Sequence, residues 1–449
     1  MTITNRREPL LLFVIDICLF FIALWLTLLL RYLHLPTADE FYNHLLPFSV
    51  LFFVWVIVFF IAGLYDKHTT LFRSRLPNTI LNAQTVNVII AALFFFLVPD
   101  IGITPKTSLG IYLIVSSTLI IFWRLYLAPR LSLKRQNAAI LIAGGEEMEE
   151  LAREVNGNRG YPFIFVAVID PSLHQPRALV DLVHGMVQKT EAGIVVLDTT
   201  HKHVLPILPE LYDLVFAGVR FIEASRVYEE VFDREPLTLL EHRWLVENIS
   251  LAPRVSYDLV KRLIDLFFGA LLGIISLMVY LPIALAIKLN DGGPVFIVQD
   301  RVGQNNRLIR LHKLRSMERN ETDLLAAQSD NAVTGVGKFL RATRLDELPQ
   351  LWNVLTGDLS LIGPRPELPS GVVFYEKEIP YYRFRHLIKP GLSGWAQLYH
   401  GNHPHHGAEV AATREKLSYD LYYIKHRSLL LDLKIALKTI KTLLSRSGI

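Results

Sequence analysis

The chain has 449 residues, of which 51% are hydrophobic, and its formal net charge is +4. This length suits two or three domains, and so small a charge gives no reason to expect a nucleic-acid partner. The only cysteine, Cys18, excludes an intrachain disulfide and a cysteine-based zinc site. The mean hydropathy is positive and the apolar residues are concentrated, which predicts a membrane protein with soluble parts.

The first part of the chain holds long apolar runs, each close to the roughly 20 residues that span a bilayer. The runs are Leu10–Leu30, Phe48–Leu64, Ile80–Val98 and Leu109–Leu127. Two alternatives are buried core helices of a soluble protein and, for the first run, a cleaved signal peptide. Soluble cores rarely keep such lengths without charges, and no small-residue cleavage site follows the first run. We therefore predict a four-helix transmembrane domain over residues 1–132.

Basic residues flank these runs unevenly. Nine basic residues lie before the first run, between the second and third runs, and after the fourth run: Arg6, Arg7, Lys67, Arg73, Arg75, Arg124, Arg130, Lys134 and Arg135. The loop after the first run and the loop after the third run contain only Arg31 and Lys106. By the positive-inside rule, both ends of the four-helix unit face the cytoplasm. We expect a multi-pass protein of the bacterial inner (cytoplasmic) membrane whose soluble domains lie on the cytoplasmic side.

The pattern then changes to alternating strands and helices over residues 133–252. "AAILIAGG", "FIFVAVID", "GIVVLD" and "GVRFIEA" are typical of buried strands, and "EEMEELAREV" of a helix. This pattern predicts an α/β, Rossmann-like soluble domain with a parallel sheet.

The first strand-to-helix turn of this domain invites a dinucleotide-binding interpretation. Gly144 and Gly145 are followed by Glu146 and Glu147, whose carboxylates would repel a phosphate at the helix start. An oxidoreductase that uses this domain is therefore a weak alternative. A structural or regulatory module fits better.

A fifth apolar run, Leu263–Leu289, follows the α/β segment. Basic residues stand at both of its ends, and Pro282 removes a backbone N–H and predicts a kink. A re-entrant helix over about 258–290, which enters and leaves on one side, fits these features. A spanning helix with a proline kink is the alternative.

Polar residues dominate after this run. Arg301, Arg307, Arg310, Lys313 and Arg315 occupy a strand-like stretch, where a solvated basic face is the ordinary interpretation. Downstream, Leu345, Leu348, Trp352 and Leu355 recur at helical spacing, so a helix is predicted to start near Asp346, with Pro349 in its first turn.

Asp346 and Glu347 thus stand beside a helix start, and two interpretations are open. They are an ordinary cap, or a reactive pair at a position where the helix dipole keeps a carboxylate ionised and attracts phosphate. Arg365 lies between Pro364 and Pro366, which favours a rigid phosphate grip, and "KPGLSGWAQ" offers Lys389 and Trp395 to a ligand. Together these features suggest a nucleophilic carboxylate, a second carboxylate for a hard cation, and cations for phosphates.

These motifs are recognisable as a set. "QDRVG", "HKLRSM", "LRATRLDELPQLWNVLTGDLSLIGPRPE", "KPGLSGWAQ" and "SYDLYYIKHRSLLLDLKIALKTI" closely resemble the bacterial sugar transferases, the polyprenol-phosphate phosphoglycosyl transferases. The resemblance covers roughly residues 255–449. It implies an α+β catalytic domain over 253–449 with a re-entrant membrane helix. The upstream parts are similar to those of the large members that begin exopolysaccharide, capsule or O-antigen lipopolysaccharide synthesis.

The resemblance also implies a reaction and its residues. Asp346 matches the family's nucleophile, which attacks the β-phosphate of a UDP-sugar, releases UMP and forms a covalent phosphosugar–aspartate. Undecaprenyl phosphate then accepts the hexose-1-phosphate. Glu347 matches a residue associated with Mg²⁺, and the candidate phosphate-binding residues are Lys313, Arg315, Arg341, Arg365 and Lys389. The expected partners are therefore UDP-sugar, undecaprenyl phosphate and the bilayer; a homo-oligomer is left open.

Some features depart from the family pattern. Leu281 stands before Pro282, where the family usually has serine, and the proline lies about one turn late. His400, His403, His405 and His406 form a loop whose spacing fits no usual zinc site, so a polar loop is favoured over metal binding. Lys434, Lys438, Lys441 and Arg446 recur near one face of the last helix, as in an interfacial helix. A non-catalytic scaffold is a further alternative, but it leaves the C-terminal motifs unexplained.

Overall fold

The structure, a computed structural model, describes residues 7–65, 76–98, 106–128, 136–158, 160–240, 242–249, 254–317, 333–399 and 410–445. The chain divides into two compact units, Met1–Glu230 and Val231–Ile449. The second unit begins upstream of residue 253, the predicted start of the catalytic domain. The division into three domains stays a prediction.

Long apolar helices form the N-terminal part, as predicted: Arg7–Tyr32, Ala38–Ile61, Leu76–Leu97 and Lys106–Phe122, the last continued by a π-helical turn Trp123–Leu127. Each is long and apolar enough to cross a membrane. Outward side chains such as Phe53 and Ile114, both 70% exposed, remain apolar. This exposure argues against four buried core helices, whose faces would be covered all round.

The interior of this helical part is aromatic, with Phe20, Phe48 and Trp55 fully buried. Arg124, counted above as a cytoplasmic flanking charge, is instead buried and ion-paired with Asp16. It therefore cannot serve as a solvated topogenic charge. Most of the other flanking charges lie outside the described residues, or their side chains do: Arg6, Arg7, Lys67, Arg73, Arg75, Lys106, Arg130, Lys134 and Arg135.

The α/β part contains a parallel sheet of four strands among the described residues, in the order β2-β1-β3-β4. The strands are β1 (Asn137–Ile142), β2 (Phe163–Ile169), β3 (Ile194–Leu197) and β4 (Arg220–Glu223), and the helices are Glu146–Gly157, Pro176–Thr190, Leu208–Leu211, Asp213–Phe216 and Ala224–Phe232. The predicted strands and parallel pairing are confirmed. This order belongs to the second common doubly wound arrangement and not to the dinucleotide-binding order.

The turn after β1 is shaped by two glycines. Gly145 has a φ of +98°, a left-handed conformation that favours glycine, and it begins the helix Glu146–Gly157. A Cβ on Gly144 would lie 2.6 Å from an Asp170 carboxylate oxygen. Another negative charge therefore stands beside the acidic helix start, which makes the turn less suited to a pyrophosphate.

The second unit begins with the helix His242–Asn248 and continues with one long apolar helix, Val255–Asp291, which contains Pro282. The proline does not end the helix, which runs on to Asp291. Thirty-seven residues give a length of about 55 Å, well beyond the roughly 30 Å of a bilayer core. Its middle is exposed and apolar, with Met278 and Leu281 each 80% exposed.

Both ends of the long apolar helix pack on the second unit. Near its start, Arg262 donates to the carbonyl oxygens of Val354 (2.6 Å) and Leu355 (2.8 Å). Near its end, Ile283 and Ile287 join a buried cluster with Leu314 and Leu340. Residues near its start and near its end therefore contact other elements of the same unit.

The rest of the second unit is α+β. It contains an antiparallel hairpin of β5 (Phe296–Val302) and β6 (Leu308–Leu314), a short parallel pair of β7 (Ser360–Ile362) and β8 (Gly391–Ser393), and the helices Gly335–Thr343, Gln350–Thr356, Pro369–Glu378, Trp395–Tyr399, Val410–His426 and Leu429–Ser445. Val302, Tyr382 and Leu421 belong to its main buried cluster. This mixed architecture agrees with the predicted catalytic domain.

The last described helix, Leu429–Ser445, has exposed apolar residues, including Leu430 at 75%. Two of its predicted surface lysines face the protein instead. Lys434 Nζ lies 4.9 Å from the centre of the Trp395 ring, and Lys438 Nζ lies 4.6 Å from that of Tyr399. The predicted basic stripe therefore does not form as a uniform interfacial face, and Arg446 lies outside the described residues.

Candidate active site

Asp346 and Glu347 lie in a single 3-10 turn, Leu345–Glu347, which we call the acidic turn. Arg344, with a φ of +54°, ends the preceding helix, and Pro349 immediately precedes the helix Gln350–Thr356. The prediction of a helix start near Asp346 is therefore confirmed. Both acids lie in the first turn, as the capping interpretation expects, but neither they nor other side chains form a capping hydrogen bond at the acidic turn or at the helix that follows.

Glu347 is held by an ion pair with Arg365. Its Oε1 accepts a hydrogen bond of 2.7 Å from Arg365 Nη2, and 34% of the Arg365 side chain is exposed. Burial would raise the pKa of Glu347, but Arg365 and Lys313 outweigh it and lower the pKa to about 2. Glu347 is therefore a permanent carboxylate at neutral pH.

Asp346 is in a different electrostatic state, although it is the neighbouring residue. It is 8% exposed, and among the described residues its carboxylate makes no hydrogen bond or ion pair. Burial and the charge of Glu347 raise its pKa to about 6, against the opposing effect of Lys313. Desolvation therefore outweighs the cations and the helix dipole in setting this pKa, although a carboxylate with a pKa of about 6 is still mostly ionised at neutral pH.

One cation of the β5–β6 hairpin, Lys313, acts on the acidic turn, and Arg301 of the same hairpin acts on Lys313. Arg301 and Gln299 lie on one face of β5, and Lys313 of β6 lies on the same face, opposite Ile297. Burial and Arg301 lower the pKa of Lys313 to about 8, while Glu347 and Asp346 act in the other direction. Lys313 is thus protonated at neutral pH but close to its titration range.

The structure brings together five of the predicted site residues: Asp346, Glu347, Lys313, Arg341 and Arg365. Arg341 lies near enough to lower the pKa of Asp346. Two predicted residues lie elsewhere. Arg315 covers Gly293 and donates to the carbonyl oxygen of Met317 at 3.0 Å, and Lys389 lines a separate cavity.

Other predicted ligand contacts also change. Trp395 is 1% exposed and donates through its indole N–H to the carbonyl oxygen of Asp233, so it is not available to a ligand as expected. The four histidines of the predicted polar loop lie outside the described residues.

Sequence reasoning missed a buried charged cluster behind Arg365. Arg385 Nη2 lies 2.8 Å from an Asp420 carboxylate oxygen and donates to the carbonyl oxygen of Arg365 at 3.2 Å. Arg385 Nη1 lies 3.3 Å from Glu367. Glu367 was visible in "GPRPE" and Asp420 in "SYDLYYIKH", but no local pattern pointed to Arg385 or to a contact among the three. Only the folded chain brings these three residues together.

The acidic turn offers two carboxylates, Asp346 and Glu347, as ligands for Mg²⁺. Within the described part of the chain, no third Asp, Glu or His joins Asp346 and Glu347 as a compact ligand group. Mg²⁺ commonly binds through one or two carboxylates, with water and substrate phosphates completing its shell. The residues therefore fit Mg²⁺ bound together with a diphosphate, and do not form an all-protein metal cage.

Comparison with known proteins matches the region that holds this site. The family model described as "Bacterial sugar transferase" matches residues 256–446. A UDP-N-acetylgalactosamine-undecaprenyl-phosphate N-acetylgalactosaminephosphotransferase of Aeromonas hydrophila is 45% identical over 44% of this chain and 47% of its own. The match thus spans about half the length of that relative.

Two further relatives are covered more fully. A UDP-glucose:undecaprenyl-phosphate glucose-1-phosphate transferase of Caulobacter vibrioides is 43% identical over 43% of this chain and 73% of its own. The Exopolysaccharide production protein PSS of Rhizobium leguminosarum is 37% identical over 42% of this chain and 98% of its own. The chain belongs to the bacterial sugar transferase family.

Proposed function

We propose that the chain is a membrane phosphoglycosyl transferase that moves hexose-1-phosphate from a UDP-sugar to undecaprenyl phosphate. The names of its relatives support the two substrate classes, and the charges around the acidic turn support phosphate chemistry. The product is undecaprenyl-diphosphate-sugar, with UMP as the leaving group. Such a product begins the membrane stage of exopolysaccharide, capsule or O-antigen synthesis.

One observation carries the assignment of roles within the site. Glu347 forms an ion pair with Arg365, whereas the carboxylate of Asp346 makes no hydrogen bond or ion pair with the described residues. A nucleophile needs an accessible lone pair, and a raised pKa makes the ionised carboxylate more basic. Asp346 is therefore the proposed nucleophile, and Glu347 the proposed metal-side carboxylate.

The reaction proceeds in two displacements at one phosphorus atom. An oxygen of Asp346 bonds to the β-phosphorus as the bond from that phosphorus to the bridging oxygen breaks, and UMP leaves with the bonding electrons. A phosphate oxygen of undecaprenyl phosphate then attacks the same phosphorus and releases the Asp346 carboxylate. Splitting one transfer in this way makes each step easier.

The cations supply charge neutralisation. Arg365 is fixed between two prolines and partly exposed, so its guanidinium is placed to bind a phosphate while its backbone is held by Arg385. Lys313 and Arg341 act on Asp346 from other sides. Glu347 would hold Mg²⁺ together with the diphosphate, and the bound ion would offset the charge on the transferred group.

The membrane arrangement is part of the proposal. Both ends of the long apolar helix pack on the same soluble unit, while its middle exposes apolar side chains. A helix that crossed the bilayer once would have its ends on opposite sides. We therefore assign it as re-entrant from the cytoplasmic face, with the kink near Pro282, so that a lipid phosphate and a soluble UDP-sugar reach one site.

Purified full chain, supplied with UDP-sugars, undecaprenyl phosphate and Mg²⁺, tests the reaction. We expect release of UMP, and labelled sugar phosphate should appear on the protein when the lipid is omitted. Asp346→Asn should abolish both signals, whereas Asp300→Asn, an exposed aspartate of β5, should retain them. Release of UDP contradicts the reaction, and label on Asp346→Asn contradicts the nucleophile.

A further inference from the structure

A cavity of about 370 Å³ lies beside the first turns of the long apolar helix. Its charged lining consists of Lys261, Arg262, Lys389, Arg427, Asp258 and Asp265. The described lining includes none of Asp346, Glu347, Lys313 or Arg365. This root cavity, as we call it, is therefore separate from the acidic turn, and its lining carries more positive than negative charge.

Two of the four cations have their hydrogen bonds supplied by the protein. Lys261 Nζ lies 2.9 Å from a carboxylate oxygen of Asp432. Arg262 donates to the carbonyl oxygens of Val354 and Leu355. These two residues connect the first turns of the long apolar helix to neighbouring elements. Their hydrogen bonds within the protein explain their positions without a ligand.

The other two cations are unsatisfied. Among the described residues, neither Lys389 nor Arg427 has a hydrogen-bond or ion-pair partner for its side chain, and Arg427 Nε is buried. A buried donor without a partner carries a desolvation cost, which is larger when the group is charged. A bound anion in the cavity would remove this cost for Arg427 and would give Lys389 a partner of opposite charge.

The crowding of like charges adds to this argument. A Cβ on Gly357 would lie 3.4 Å from Arg262 Nη2 and 3.6 Å from Lys389 Nζ, so both nitrogens lie beside the same glycine. The C-terminus of the helix Gln350–Thr356 attracts cations, which explains Arg262. It does not fully explain Lys389, which makes no bond to that helix.

The surroundings indicate where the anion comes from. Tyr257, Lys261 and Arg262 of the long apolar helix line the cavity, and the next turns expose Leu263 (57%) and Phe267 (65%). The root cavity thus opens where charged residues give way to an apolar, lipid-facing surface. The helix Gln350–Thr356, about 10 Å long, separates it from the acidic turn.

We propose that the root cavity binds the phosphate head group of a membrane lipid through Lys389 and Arg427. This site is additional to the one at which Asp346 reacts. The proposal depends on the membrane placement of the long apolar helix and not on the transfer reaction. A protein that released no UMP would still be expected to bind lipid here.

Binding of a fluorescent short-chain phosphatidylglycerol to the full chain in neutral detergent tests the proposal. We expect Lys389→Gln and Arg427→Gln each to weaken binding about tenfold or more, since each removes a charge-assisted hydrogen bond. Lys377→Gln, an exposed lysine outside the cavity, should bind as the unchanged protein does. Thermal unfolding of each variant shows whether it is folded. If Lys389→Gln does not fold, lipid binding by Arg427→Gln decides the outcome.

Inorganic phosphate as a second ligand distinguishes a lipid from a free anion. We expect phosphate to compete only weakly with the lipid, because it lacks the apolar chains. Phosphate binding as tight as lipid binding, and lost in both variants, would overturn the lipid assignment in favour of a soluble phosphate compound. Unchanged lipid binding in both folded variants would overturn the anion site itself.

Discussion

Arg385 donates a hydrogen bond of 3.2 Å to the backbone carbonyl oxygen of Arg365, the residue whose side chain pairs with Glu347. The buried guanidinium of Arg385 therefore holds the backbone of the partly exposed Arg365. Arg385 is itself fixed by Asp420 and Glu367. The site thus has a charged support behind it that touches no part of the acidic turn directly.

Removal of this support should destabilise the second unit and disturb Arg365. We expect Arg385→Met to lower the free energy of unfolding by about 3–5 kcal/mol, because it removes the guanidinium that pairs with the buried Asp420 and with Glu367. Chemical denaturation of the full chain in detergent measures this change. The exposed neighbour Arg383→Met is the matched control and should cost less than about 0.5 kcal/mol. Equal stability of the two variants would contradict the supporting role.

The pH dependence of covalent adduct formation should reflect Asp346 and Lys313. Asp346 attacks only when ionised, and its pKa of about 6 means that the rate falls as the pH drops through that value. Lys313 binds phosphate only when protonated, and its pKa of about 8 means that the rate falls again as the pH rises through that value. Rapid-quench measurement of the labelled adduct should give a bell-shaped profile.

Glu347→Gln should move the acidic limb of this profile to lower pH. The Glu347 charge raises the pKa of Asp346, and its removal also leaves Arg365 without its partner acid. The adduct rate of Glu347→Gln is therefore compared at each pH with that of the unchanged protein. An acidic limb that stays in place, or moves to higher pH, would show that Glu347 is not a significant charge at Asp346.

Magnesium dependence should involve the same glutamate. If Glu347 holds Mg²⁺ beside the diphosphate, chelation should stop UMP release and added Mg²⁺ should restore it. Glu347→Gln should raise the Mg²⁺ concentration for half-maximal activity by about tenfold or more. The control is Glu376→Gln, an exposed glutamate of the helix Pro369–Glu378, whose Mg²⁺ requirement should not change. Full activity without divalent ions would rule the metal out.

The topology of the long apolar helix can be tested with cysteines. In a Cys18→Ser background, Ser256→Cys and Lys288→Cys are exposed positions near its two ends. A membrane-impermeant maleimide should label both from the same side in oriented vesicles, because both ends pack on one soluble unit. Leu35→Cys, in the turn between the first two apolar helices, should be labelled from the opposite side. Labelling of the two helix ends from different sides would show that the helix spans.

Much of the architecture was predictable because it depends on local patterns. The apolar runs predicted the four N-terminal helices, and the buried strand patterns predicted a parallel sheet. The strand order was not predictable, since it depends on how crossovers pack. The helix Val255–Asp291 continues through Pro282, and the kink at this proline stays a prediction.

Local sequence motifs predict which residues carry the proposed chemistry, since "LDELP" and "GPRPE" place two carboxylates and a restrained arginine in the chain. The contacts and ionisation of these side chains depend on the tertiary structure. It paired Glu347 with Arg365, left Asp346 desolvated with a raised pKa, and placed Lys389 at a different cavity. The ionisation of a carboxylate depends on its burial and on charges from strands and loops that are distant in sequence. Neighbouring residues in the sequence do not show either.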